Sequence, residues 1–283
     1  MEDVLLQVQN LTFAYRESAV LKDINVTIHR GEKIAVMGAN GAGKSTFFLH
    51  LNGVLHQDEG TICLAGRQIQ KKTETKLRQK VGYVFQDADS QLIASNVRAE
   101  ISFGPMNLGL SQKEVKKRVE EALNYMDLED LAERPPHYLS GGEKKRVSIA
   151  DILAMEPEIL LFDEPMAALD PFNASRVEQI LWNLHEEGKT LLIATHDVDF
   201  AYRFADRIIV FAEGSILADG DPFDLFHNTD MMEQAHLKAP AMMTVWEALR
   251  TANLVTQSLP YPTTLSQVVE AVKAMEAMEE RGL

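Results

Sequence analysis

Two separated stretches carry residues whose types and spacing suit one piece of chemistry, the binding and cleavage of a polyphosphate. The first is GANGAGKST, residues 38–46. Gly38, Gly41 and Gly43, with Ala39, Asn40 and Ala42 between them, let the backbone turn its N–H groups inward onto an anion. The helix expected next presents its positive end to the same phosphates. Lys44 is placed to reach the β- and γ-phosphates and the Ser45 hydroxyl to hold Mg²⁺, with Thr46 closing the run. The second stretch is LSGGEKKR, residues 139–146. It sets Ser140, Gly141 and Gly142 before a basic helix expected over 144–155. That is a second anion-facing helix N-terminus, and its best use is to close over the γ-phosphate held by another copy of the domain.

The remaining parts follow in order. ILLFDEP, residues 159–165, reads as a buried parallel strand ending in two carboxylates. Asp163 suits Mg²⁺ binding through water, and Glu164 suits orienting the water that attacks the γ-phosphate. The apolar strand 191–195 ends at His196, whose imidazole can contact the same phosphate. A lone strand-end histidine is more often an ordinary hydrogen-bonding residue, but its place after the carboxylate strand favours the functional role. Gln86 closes the strand 81–85 and can touch both Mg²⁺ and the attacking water. Tyr15 ends the strand 5–15 and can stack on adenine; taken alone it reads as an edge-strand aromatic.

Together these residues resemble the nucleotide-binding domain of ABC transporters over residues 4–228. Tyr15 matches the adenine-stacking aromatic, 38–46 Walker A, Gln86 the Q-loop and 139–143 the signature. Residues 159–164 match Walker B, 168–171 the D-loop with Asp170, and His196 the switch histidine. The resemblance implies an α/β fold: a P-loop NTPase core of ABC type with an antiparallel β subdomain, an α-helical subdomain at about 94–150 and a short helical C-terminal extension, 229–283. It also implies ATP and Mg²⁺ as ligands, and a head-to-tail dimer in which each ATP lies between one Walker A and the opposite signature. Met166 and Ala168 replace the usual small hydroxyl residue and glycine, and Glu143 stands where Gln is common. None of these removes a catalytic group, so both sites of a homodimer are expected to be active.

FLHLNG at 48–53, VGYVFQDADSQL at 81–92, ADILAMEP at 150–157 and THDVDFAYRFADR at 195–207 are similar to a narrower group, the ATPases of energy-coupling-factor cobalt and nickel importers. That likeness implies two identical ATPases, a transmembrane coupling subunit and a metal-capturing membrane component, with this chain peripheral on the cytoplasmic face. Cobalt is favoured over nickel. A vitamin-uptake ATPase paired with a non-identical partner, and a soluble ATPase of iron–sulfur assembly, share the catalytic motifs and stay open. Asp87 and Asp89 are expected in a groove facing the membrane partner, where arginine-ended helices suit them; the alternative is a solvated turn.

Composition bounds these readings. A formal net charge of −14 over 283 residues argues against a nucleic-acid partner and against adsorption to anionic lipid. Cys63 is the only cysteine, which excludes a disulfide within the chain and suits a reducing compartment. No run approaches the ~20 apolar residues that cross a bilayer, and the N-terminus lacks the pattern of a signal peptide. The tail 229–283 is expected to lie outside the core as a helical dimer contact, its methionines filling gaps rather than binding metal. His50, His56, His137, His185, His227 and His236 show no metal-site spacing.

Overall fold

The computed structural model describes residues 3–16, 18–70, 72–256 and 258–279, the side chains of 276–279 excepted; Met278 of the Met-rich tail thus falls outside the described side chains. Near the N-terminus β1 (Val4–Tyr15) and β2 (Ser18–His29) form an antiparallel pair with several register shifts. β3 (Lys33–Met37) is buried throughout and feeds α1 (Lys44–Leu51) through the glycine loop. β4 (Glu59–Leu64) joins the far side of β1, and β5 (Arg67–Gln68) completes a sheet ordered β2-β1-β4-β5. The charged segment after it yields α2 (Glu74–Lys80). Before it, Thr73 ties back to Gln70, its hydroxyl accepting from the Gln70 N–H at 2.9 Å. β6 (Val81–Val84) follows.

The helical stretch then divides into α3 (Val97–Asn107), with Pro105 inside it, and α4 (Gln112–Tyr125), which Ser111 caps. α5 (Gly141–Leu153) begins three residues before the expected start at 144. The cause is a capping box: the Ser140 hydroxyl accepts from the Glu143 N–H while the Glu143 carboxylate accepts from the Ser140 N–H at 2.7 Å. β7 (Ile159–Asp163), α6 (Pro171–Glu186), β8 (Thr190–Ala194), α7 (Val198–Phe204), β9 (Arg207–Ala212) and β10 (Ser215–Gly220) follow. They complete a second sheet ordered β10-β9-β3-β8-β7-β6, parallel except for β10. Strands buried on both faces read as continuous apolar runs, as β3, β7 and β8 do.

This order puts the carboxyl ends of β3, β6, β7 and β8 along one edge. Val36 and Asp163 are both register partners of Ala194, and Val84 partners Phe162. The glycine loop, Gln86, Glu164 and His196 therefore emerge side by side, at the edge where open α/β sheets bind ligands.

The C-terminal stretch corrects one expectation. It contains α8 (Pro222–His227), α9 (Thr229–Gln234), α10 (Ala241–Thr251) and α11 (Leu265–Glu279). Met231, Met232 and Met243 are not outside the core: they are buried in one cluster with Ala35 and Met37 of β3 and Tyr202 of α7. Their flexible thioethers fill the space between helices and sheet, the role expected of them. Only the region around Trp246, Val255 and Val268 forms a separate small cluster.

Candidate active site

The phosphate loop is built by close approach. A Cβ on Gly38, which has φ +132°, would stand 2.1 Å from the Phe211 carbonyl oxygen, so no other residue fits there. Gly38, Ala39, Asn40, Gly41, Gly43, Lys44, Ser45 and Thr46 all wall one cavity of about 660 Å³. Ala42 does not. Its side chain is buried in the core and its carbonyl accepts from the Gly214 N–H at 3.2 Å, so only its backbone belongs to the loop. Lys44 is buried, and its ammonium donates to the carbonyls of Gly38 at 2.7 Å and Ala39 at 3.1 Å. Burial pushes its pKa down, opposed by the charges of Glu164 and Asp163.

Gln86, Asp163, Glu164 and His196 line the same cavity. Glu164 has φ +43°, a left-handed conformation costly for a side chain of this size, held by its N–H on the Ala194 carbonyl at 2.9 Å. The turn carries the carboxylate out of the strand direction to His196, whose Nδ1 lies 3.0 Å from Oε2. One oxygen of buried Asp163 accepts from the Tyr83 hydroxyl at 2.9 Å. Tyr83 escaped the sequence reading because a tyrosine inside an apolar strand signals packing first. Its phenol is pushed far above its ordinary range by burial and by Asp163, so it stays a donor. No group of three or more His, Cys, Asp or Glu side chains able to hold a metal occurs among the described residues. The donor set of Ser45, Gln86 and Asp163 still fits Mg²⁺, which takes few protein ligands and completes its shell with phosphate and water.

The segment after β6 is bound to α5 by several side chains. Lys145, buried, donates to the carbonyls of Phe85 at 2.9 Å and Gln86 at 2.7 Å. Burial draws its pKa to about 8 against the pull of Asp87 and Asp163. Gln91 bridges the same elements: its Oε1 accepts from the Phe85 N–H at 3.3 Å, and its Nε2 donates to the Ser148 carbonyl at 2.8 Å and to Asp151 at 3.2 Å. Neither residue was singled out from sequence, since a lysine in a basic run reads as solvated. Asp87 and Asp89 are engaged within the chain. Asp87 accepts from the Asp89 N–H and the Ser90 hydroxyl, and Asp89 pairs with Lys144 at 2.6 Å.

Other expected site residues stand away from the cavity. Ser140, Gly141, Gly142 and Asp170 are not among its lining residues. The Ser140 N–H and, at 2.8 Å, its hydroxyl both donate to Glu143, holding that carboxylate's pKa below its ordinary value. A Cβ on Gly142 would meet the Asn173 side chain at 2.1 Å, so α5 and α6 touch there. Asp170 caps α6 by accepting from the N–H groups of Phe172 and Asn173. Tyr15 is half exposed at the end of β1, edge-on to Phe13, and outside the cavity wall. His236, Leu237 and Lys238 of the tail, expected only as a dimer contact, also line the cavity.

Two outcomes follow from this geometry. Glu164→Gln keeps the shape but removes the carboxylate, and turnover should fall by ~10²–10⁴ with MgATP still bound; native turnover in a phosphate-release assay would remove Glu164 from the chemistry. Asp151 is pushed up to about 7 by burial, with Glu100 adding to the shift and Gln91 opposing it, from an ordinary value of 3.8. The folded chain thus holds a proton that the unfolded chain releases between those values, so this group's contribution to stability falls as pH rises through that window. Asp151→Asn should gain stability relative to the native chain as urea unfolding is moved from acid to mildly alkaline pH; a pH-independent difference would contradict the assignment.

The ABC transporter family profile matches residues 21–167. The energy-coupling factor transporter ATP-binding protein EcfA of Methanocaldococcus jannaschii is 44% identical over 248 residues, covering 87% of this chain and 89% of that one. EcfA of Methanosphaera stadtmanae is 41% identical over 271 residues, covering 95% and 98%. Among solved structures, cbiO1 of Clostridium perfringens, part of the ABC transporter complex cbiONQ, has a TM-score of 0.73 at 40% identity, covering 87% of this chain and all 100% of its own. A dimeric ATP-binding cassette in a post-hydrolysis state with ADP and Pi has a TM-score of 0.68 at 32% identity, covering 77% and 99%. With the phosphate loop, the strand-end carboxylates and the histidine gathered at one sheet edge, the chain belongs to the ABC transporter family as an ATP-binding cassette with ATPase activity.

Proposed function

We propose that this chain is the ATP-hydrolysing subunit of an energy-coupling-factor importer for a transition-metal ion, cobalt favoured over nickel. Two identical copies work at the cytoplasmic face of the membrane, on a transmembrane coupling subunit and a metal-capturing membrane component. The observation that carries this reading is the 40% identity, over 87% of the chain, to cbiO1 of the cbiONQ complex. Among the described residues no helix is long and apolar enough to cross a membrane, in keeping with a pore formed by other chains.

Within each copy Lys44 and the loop N–H groups hold the β- and γ-phosphates. Ser45, Gln86 and Asp163 hold Mg²⁺, which when bound offsets the charge on the phosphate oxygens. Glu164 orients the attacking water and accepts its proton, and His196 contacts the terminal phosphate. Ser140, Gly141, Gly142 and Asp170 act on the partner's nucleotide, and Tyr15 stacks on adenine. Lys145 and Gln91 make the Gln86 segment and the signature helix one body, so a change at the γ-phosphate is passed to the helical subdomain and on to the docked membrane helices. The exposed apolar residues Val245, Leu254, Leu265 and Val269 support a dimer contact through the outer part of the C-terminal extension.

A vitamin-uptake role is the second reading, because the two EcfA relatives carry the energy-coupling-factor name without a metal. Uptake of radioactive cobalt, nickel and vitamins by cells carrying the whole operon separates the two. ATP-dependent cobalt accumulation that disappears with Lys44→Ala is expected. Vitamin uptake with no metal uptake would overturn the metal assignment, and recovery of the chain with soluble scaffold proteins alone would overturn the transport role.

A further inference from the structure

The cavity that holds the phosphate loop is walled on one side by His236, Leu237 and Lys238 of the C-terminal extension. Both flanks of this short strap are fastened to elements that carry site residues. On its N-terminal side, Met231 and Met232 are buried in one cluster with Met37, the residue immediately before Gly38. On its C-terminal side, the Ala241 N–H donates to Asp199 at 2.6 Å, in the first turn of the α7 helix that follows His196. The turn itself is fixed: His236 has φ +54°, and the Leu237 N–H donates to the Met232 carbonyl at 2.8 Å.

The strap adds a second cation to a site that otherwise offers one. Lys44 and Lys238 are the lysines and arginines of the cavity wall, facing the carboxylates of Asp163 and Glu164. Lys44 already spends donors on its own loop carbonyls. Lys238 is exposed and, among the described residues, has no ion-pair partner. It lines the same cavity as His196, whose Nδ1 lies 3.0 Å from the Glu164 carboxylate proposed to orient the attacking water. A polyphosphate in this cavity would meet a lysine held near it by a rigid backbone at no cost in loop ordering.

We infer that Lys238 is a second cation for the terminal phosphate of bound nucleotide, making the C-terminal extension part of the nucleotide site of its own copy. The inference rests on the reading of this cavity as a triphosphate site. The cis contact couples the extension to the state of the nucleotide: a triphosphate holds the strap, and loss of the terminal phosphate releases Lys238.

Calorimetric titration of the full chain with MgATP, MgADP and AMP at low salt tests it, with Lys238→Met, Lys238→Arg and Lys44→Ala beside the native protein. Lys238→Met should weaken MgATP binding about ten-fold, the scale of one charge-assisted contact. MgADP should be affected less and AMP not at all, Lys238→Arg should restore affinity, and the difference should shrink in high salt. Because Lys238 is exposed, the unfolding midpoint should not move. Native MgATP affinity in Lys238→Met while Lys44→Ala loses binding would overturn this inference alone. Native affinity in both variants would overturn the triphosphate reading with it. An equal loss for AMP, or a loss seen only when the chain is dimeric, would overturn the contact in cis.

Discussion

The structure depends on an electrostatic arrangement that the chain alone leaves incomplete. Lys44 is removed from water at the start of α1 and satisfies its ammonium on the carbonyls of its own loop, facing carboxylates at the end of a neighbouring strand. Burying an ammonium is costly unless it is paired and hydrogen-bonded. The glycine loop supplies hydrogen bonds, and Asp163 and Glu164 supply opposite charge. A magnesium–polyphosphate suits the same space from both directions, its oxygens meeting Lys44 and the N–H groups and its metal meeting Asp163. The parallel sheet makes this possible by ending β3, β6, β7 and β8 at one edge.

A second constraint, under the proposed function, is division of labour between copies. Ser140 caps α5 through a capping box and does not line the cavity of its own chain, and Asp170 caps α6. Glu143 in place of the commoner glutamine has a local reason: its carboxylate satisfies both the Ser140 N–H and the Ser140 hydroxyl. The capping box therefore positions the serine before any nucleotide arrives. Lys145, buried and bonded to the Gln86 carbonyl, joins this helix to the segment that would sense Mg²⁺. Movement of one requires movement of the other.

Much of the site was legible in the sequence, because phosphate chemistry demands glycines, a lysine and carboxylates at fixed spacings, and strand–loop–helix patterns place them. The less legible parts follow other rules. Ala42 sits inside the motif yet turns to the core, since a loop of alternating glycines must bury some residues to hold its shape. Tyr83 and Lys145 act through tertiary contacts 80 and 59 residues away along the chain, which no local pattern records. The tail was misjudged because methionines give a helix face without saying what it covers, and here it covers β3 and α7. Asp87 and Asp89, expected to face a membrane partner or to form a solvated turn, make an exposed local turn, with Asp89 also paired to Lys144.

The central claim is that the signature of one copy completes the site of another. The most direct test is sedimentation of Glu164→Gln protein with and without MgATP, compared with the Glu164→Gln, Ser140→Arg double variant. Glu164→Gln should become a dimer when MgATP is added. The double variant should remain a monomer and still bind MgATP through its own phosphate loop. Dimerisation of the double variant at the same nucleotide concentration, or loss of MgATP from its monomer, would contradict the account.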